Sequence, residues 1–344
     1  MMRVKIEDVC MKGSSNLKQS DVVGKNGIYP VYGAAGYLGS IDSFKQSKPY
    51  VAVVKDGAGI GRAMLLPSNS SIIGTMQYLL PKDNILPEYL YYLIKAKHLE
   101  KYYSGATIPH IYFKDYKNEE FDLFSFEIQY QIINKLKIIE KIIEKQKKEM
   151  DLLDELVKAR FVELFGDPII NDKGLITELL ANVSNLKAGK AIKTGELSEN
   201  NDTNSLFPCF GGNGIRGYIN RYTHDGTFPI IGRQGALSGN VNFAKGKFYA
   251  TEHAIVVTPK VELDDTWFFY CLKYLDLKRF QTVAAQPGVS VEKLNNISIP
   301  LPNYKSQLYF SDFVKEVDKS RLEVQKSLKK TQELFDSLMQ KYFG

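Results

Sequence analysis

At 344 residues, 44% of them hydrophobic, the chain is long enough to bury two or more cores. Its formal net charge of +6 permits a nucleic-acid partner without requiring one, and three scattered cysteines (Cys10, Cys209, Cys271) with no CxxC pair argue against a disulfide framework or a structural zinc site. The N-terminus lacks the apolar run of a signal peptide and no stretch approaches about 18 uninterrupted apolar residues, so a soluble, cytoplasmic chain without a membrane span is expected.

Residues 1–124 read as a mixed globule. Short apolar runs at 29–32, 50–54, 63–66 and 76–80, separated by Gly and Pro-Ser-Asn turns, predict strands. Pro87 then opens a helix, PEYLYYLIKAKHLEKYY, that stops before Gly105, and a short strand ends near Leu123. Over 125–166 the pattern changes. Ile132, Leu136, Ile139, Ile143, Met150, Leu153, Val157 and Leu164 recur at steps built from four and three, with Gln146 and Arg160 the polar occupants of that seam. This period predicts a helix wound against another helix, and about 40 residues make a rod of roughly 60 Å. A second mixed globule follows over 167–302, its helix capped by Asp264-Asp265 and its end stiffened by Pro300-Leu301-Pro302. A second rod over 303–344 carries the seam Phe310, Val314, Val317, Arg321, Val324, Leu328, Thr331, Phe335, Leu338 and Tyr342.

The second seam repeats the first 178 positions later. The same offset joins Pro30, Gly33, Gly36 and Gly39 to Pro208, Gly211, Gly214 and Gly217, and Gly57, Gly61, Pro109 and Gln129 to Gly235, Gly239, Pro287 and Gln307. Near the start, Ser15-Asn16-Leu17-Lys18 matches Ser184-Asn185-Leu186-Lys187 at an offset of 169, which predicts about nine extra residues around 194–204. The chain is a tandem duplication. The expected fold class is α+β: two mixed α/β domains joined by two long antiparallel coiled-coil helices, related by a pseudo-two-fold.

Gly57-Ala58-Gly59-Ile60-Gly61 follows an apolar strand, as a phosphate-binding loop would. Its second copy, Gly235-Ala236-Leu237-Ser238-Gly239, lacks the middle glycine, and each copy leads into a strand-like run where such a loop should open a helix. A tight inter-strand turn is the better account. Four histidines show no metal-binding spacing, and no catalytic constellation is shared by the two copies, so no catalysis and no metal are expected of this chain. The Gly-rich loops instead offer Tyr37, Lys45, Lys55, Arg62, Thr107, His110 and Lys114 in the first globule. The second offers Arg216, Arg221, Arg233, Gln234, Gln286, Ser290 and Lys293. Arg and Gln suit guanine and adenine edges, and Lys and Ser suit phosphate. These positions differ between copies where the glycines persist: Lys55, Asp56 and Arg62 face Arg233, Gln234 and Asn240. Similar frames with different readers fit two different half-sites.

Taken in order, the runs at 104–111 and 284–289, the rod entries Gln129 and Gln307, the segment 160–168 and the tail 339–344 resemble a specificity subunit of a type I restriction-modification system. The resemblance implies two target-recognition domains, each reading half of a bipartite, asymmetric site in double-stranded DNA. It also implies rods that set the unread spacer and a platform for two methyltransferase subunits, with restriction subunits joining for cleavage. S-adenosylmethionine, and ATP with Mg, would sit on those partners. The first copy departs from the family at Ile108-Pro109-His110, where a Gln-Pro-Asn-like run is expected. Two other readings are open at this stage: a non-catalytic coiled-coil scaffold with two protein-binding domains, and the specificity component of another methyltransferase system.

Overall fold

A computed structural model describes residues 2–104, 109–201, 206–282 and 287–344. The chain divides into two units, Met1–Lys148 with Gln325–Gly344, and Glu149–Val324. Both long helices, Phe126–Phe165 and Tyr304–Phe343, therefore contribute to both units.

In the first unit, strands Cys10–Ser14, Met76–Pro81, Tyr50–Val54 and Ala63–Leu66 form an antiparallel sheet in that order. All five residues of Tyr50–Val54 are buried. Covered on both faces, that strand reads as an unbroken apolar run rather than an alternating one. Val51, Val53 and Leu79 point into a core shared with helix Pro87–Ala96 and the rods, while Tyr50, Ala52, Val54 and Tyr78 face a second cluster on the other side. A smaller sheet orders Gly36–Ile41, Tyr29–Gly33 and Ser71–Ile72, the last pair parallel. Met2–Lys5 pairs with Glu120–Leu123 at the rod entry.

The second unit repeats this plan with one join. Its six-stranded sheet runs Ser184–Ala188, Ala254–Pro259, His224–Gly232, Val241–Ala250, Phe207–Gly211, Gly214–Ile219. Val241–Ala250 is continuous where the first unit has two strands, interrupted by Pro67 and by Asn69 in the left-handed region (φ 54°). Proline removes a ladder donor and a left-handed residue turns the chain, so the first unit's sheet splits. The parallel pairing survives the split: Val31 lies opposite Ser71, and Cys209 opposite Tyr249.

Two expectations need correction. Cys10 pairs with Pro81 and Ser184 with Pro259, so register equates Cys10 with Ser184, an offset of 174 rather than 169. The Ser-Asn-Leu-Lys match is a coincidence of composition, and the second copy's insertion is four residues instead of nine. The helix opened by Pro87 also stops early, at Ala96. His98 takes a left-handed conformation (φ 49°) and a separate 3-10 turn, Leu99–Tyr102, follows. Asp276 does the same in the second unit (φ 48°).

Within each unit the rods run antiparallel. In the first, Ile132, Leu136, Ile139 and Ile143 pack with Phe335, and Leu328 and Leu338 lie against the same cluster, while Gln146 Nε2 donates to Ser327 Oγ (2.7 Å). In the second, Val157 joins Phe310, Val314 and Val317, with Leu153 beside them; Met150 and Val324 are half-buried. There Asp154 meets Arg321 (2.5 Å) and Arg160 meets Tyr309 (2.6 Å), pairs whose numbers run in opposite senses. The buried stripe is wider than the seam because each rod also faces its globule: Ile133, Phe161, Phe165, Met339 and Phe343 are buried too. Each rod starts on a buried glutamine. Gln129 Oε1 accepts from Leu86 N (2.9 Å) and its Nε2 donates to Phe124 O (2.9 Å); Gln307 repeats this with Asp264 N (2.9 Å) and Pro302 O (2.9 Å).

Candidate nucleic-acid interface

Three loops meet in each unit: the hairpin tip between Gly33 and Gly36, the Gly-rich turn 55–62, and the loop ending at Ile111, with their counterparts 178 positions on. Main-chain hydrogen bonds weld the last two together. Gly57 N–H donates to Pro109 O (3.0 Å) and Ile111 N–H to Lys55 O (3.0 Å); Gly235 N–H donates to Pro287 O (2.9 Å) and Val289 N–H to Arg233 O (2.9 Å). Gly61 and Gly239 close the turns with φ of 82° and 84°, and a Cβ on either would stand 2.5 or 2.7 Å from the backbone nitrogen of Glu100 or Lys278. Only glycine fits there. Each turn runs directly into a strand, Ala63–Leu66 or Val241–Ala250. No helix opens to cradle a phosphate.

On that shared frame the side chains diverge. In the first unit Asp56 is gripped on both sides: Lys55 Nζ pairs with Oδ2, and His110 Nδ1 lies 2.6 Å from Oδ1. Partial burial pushes the Asp56 carboxyl up, but the hydrogen bonds and charges of Lys55 and His110 outweigh it and hold the group below the usual carboxylate range. Tyr112 stacks near His110 and carries Lys114 Nζ over its ring at 5.3 Å. Arg62 reaches across to the hairpin tip, donating to Ala34 O (3.3 Å), and exposed Tyr37 bonds Ser40 (3.0 Å) on the same hairpin. Lys45 lies apart, its backbone tied to Ser71 Oγ (2.9 Å). Thr107 falls outside the described residues.

In the second unit Asn240, matching Arg62, also reaches the hairpin tip, donating to Asn213 Oδ1 (3.1 Å). Arg216, Gln234 and His253 line an open cleft of about 540 Å³ with exposed Ile215 and Leu237. Gln234 Oε1 lies 2.8 Å from His253 Nδ1, and His253 Nε2 lies 3.3 Å from a Glu252 oxygen. Arg233 Nη1 donates to Glu252 O (3.4 Å). A second cleft of about 230 Å³ lies between Arg233 and Gln234 on one side and Gly288 and Ser290 on the other. Ser290 caps the helix Val291–Asn295, accepting from Lys293 N (3.2 Å), while the Lys293 side chain is exposed. Arg221 is drawn into an ion pair with Glu196 (2.6 Å) and stacks over Tyr249 (5.4 Å). Gln286 lies outside the described residues.

The arrangement gathers Lys55, Arg62, His110 and Lys114 in one unit and Arg216, Arg233 and Gln234 in the other. It adds Asp56, Tyr112, Asn213 and His253, which residue type alone did not single out. Asp56 was visible as the repeat counterpart of Gln234, but its partner His110 lies 54 residues away. His253 gave no signal, since nothing local ties it to Gln234. Among the described residues no helix is long and apolar enough to cross a membrane.

The sequence matches the family described as type I restriction modification DNA specificity domain over residues 1–150 and 179–334. It is 40% identical over 139 residues to the type I restriction enzyme EcoprrI specificity subunit of Escherichia coli, a match covering 40% of this chain and 35% of that relative. Identity to the MjaVIII specificity subunit of Methanocaldococcus jannaschii is 23% over 338 residues, covering 83% of this chain and 77% of the relative. The fold resembles the crystal structure of a type I restriction-modification S subunit from M. genitalium, with TM-score 0.65 and 19% identity over 100% of this chain and 96% of that one.

Proposed function

The chain belongs to the family of type I restriction modification DNA specificity domains, and from that premise we propose that it is the subunit that selects the DNA sequence for a type I restriction-modification system. Each unit's loop cluster reads one half of a bipartite, asymmetric duplex site. The observation that carries this reading is the duplicated loop frame. The two main-chain hydrogen bonds that weld its loops together agree within 0.1 Å between units, while Lys55, Asp56, Arg62 and His110 stand where the second unit has Arg233, Gln234, Asn240 and Gly288. A conserved scaffold with unlike side chains recognises unlike half-sites.

Two methyltransferase subunits, and restriction subunits for cleavage, are the partners this reading calls for. S-adenosylmethionine, and ATP with Mg, would be held by them. Turns that run into strands are poor cradles for a nucleotide, which supports placing those cofactors on the partners. Co-expression with a candidate methyltransferase, followed by mapping of methylated adenines, tests the proposal. Two short, unrelated half-sites separated by a fixed unread gap are expected; a single continuous palindrome would overturn it.

A further inference from the structure

We infer that residue 288 decides how the second unit reads its half-site: Gly288 opens a slot through which Arg233 and Gln234 take the exposed edge of a purine. This rests on the specificity reading above and goes further in naming the base class and the residue that admits it. The two units give a direct comparison. His110 and Gly288 occupy the same backbone position, each bridged to the Gly-rich turn through Asp56 or Gln234. Their carbonyls accept from Ser104 N (2.8 Å) and Thr282 N (2.9 Å). In the first unit the imidazole of His110 fills the space and meets Asp56, whose two oxygens are both engaged. In the second unit position 288 carries no side chain, and among the described residues the slot stays open.

Arg233 and Gln234 line that slot in a prepared state. The amide of Gln234 is oriented by His253, which makes His253 a positioning residue. Arg233 is half-buried and, among the described residues, its guanidinium donates to one carbonyl, leaving most of its five donors for a ligand. A guanidinium fork fits guanine O6 and N7, and a carboxamide fits adenine N6 and N7. A phosphate would also suit the arginine, but the neighbouring carboxamide, with both donor and acceptor, matches a base edge.

The test is selection of bound duplexes from a randomised library by the full chain, wild type against Gly288→His. The matching position holds histidine, and an added Cβ would lie 3.2 Å from Arg233 O, so that carbonyl must give by a few tenths of an ångström to admit a side chain. Gly288→Ala, with the same readout in weaker form, covers poor folding of the larger variant. The expected result is loss of a purine preference at one position of one half-site, on the order of 10-fold in discrimination. Arg233→Ala or Gln234→Ala should relax that same position, and His110→Gly should alter only the opposite half. Unchanged motifs in Gly288→His would overturn the inference. So would an equal loss on every sequence in Arg233→Ala with a shallower salt dependence, which marks a phosphate contact. A wild-type chain that enriches no motif overturns instead the specificity reading beneath it.

Discussion

Asp56 places a carboxylate inside an otherwise cationic loop cluster, and its two partners make it a probe of that cluster's integrity. Its folded value lies below the ordinary carboxylate range. The stabilisation it gives is therefore fully present above the unfolded value near 3.8 and is lost as pH falls through the lower folded value. Asp56→Asn removes this contribution. The gap in melting temperature between wild type and variant should close below about pH 4; a gap that widens below that pH would refute the assignment. Arg221 behaves differently. Its pairing with Glu196 and stacking on Tyr249 lead us to expect that Arg221→Ala leaves the selected motif unchanged in the library assay. At this scale residue type was a fair guide to which side chains gather at the loops. It could not reveal which of them are already satisfied within the protein, as Arg221 and the cap Ser290 are, because those partners come from elsewhere in the chain.

Among the elements, the rods were the most legible. An apolar period near 3.5 has few explanations, and Gln129 and Gln307 stood out by recurring at both rod entries. Their role, though, lay in three-dimensional contacts. Each buried amide satisfies a backbone donor at a helix start and a carbonyl at a strand or loop end. Truncating one leaves buried polar groups unpaired, at a cost of about 1–3 kcal/mol. Gln129→Ala and Gln307→Ala should each lower the urea midpoint; because they sit in separate units, their effects should add in the double variant. Leu136, fully buried in the seam, should lose about 2–5 kcal/mol on Leu136→Ala. The premature end of the helix at Ala96 was less legible: nothing in a run of good helix formers marks His98 as left-handed, and tertiary packing overrides propensity there.

For the molecule as a whole, the 178-residue offset disclosed the duplication. Strand register was needed to correct its N-terminal phase to 174 and to find that one continuous strand replaces two. Short polar matches such as Ser-Asn-Leu-Lys carry little information, whereas spaced glycines and prolines answer to backbone geometry. The measuring role that the family resemblance implies for the rods can be tested at this scale. Inserting seven residues into each helix, after Lys148 and after Val324, preserves the seam and adds roughly 10 Å of rise. The unread gap in the methylation motif should change by about three base pairs with both half-sites retained; new half-site sequences would contradict it.

The loop frame is held by amide-to-carbonyl contacts and by glycines that no other residue can replace, so its shape does not depend on which side chains it displays. Under the proposed function, a lineage carrying this protein could change its target by substitution on these loops while the frame stays folded. Where a displayed residue is paired, as Asp56 is with Lys55 and His110, target choice and thermal stability should shift together; elsewhere they should drift independently.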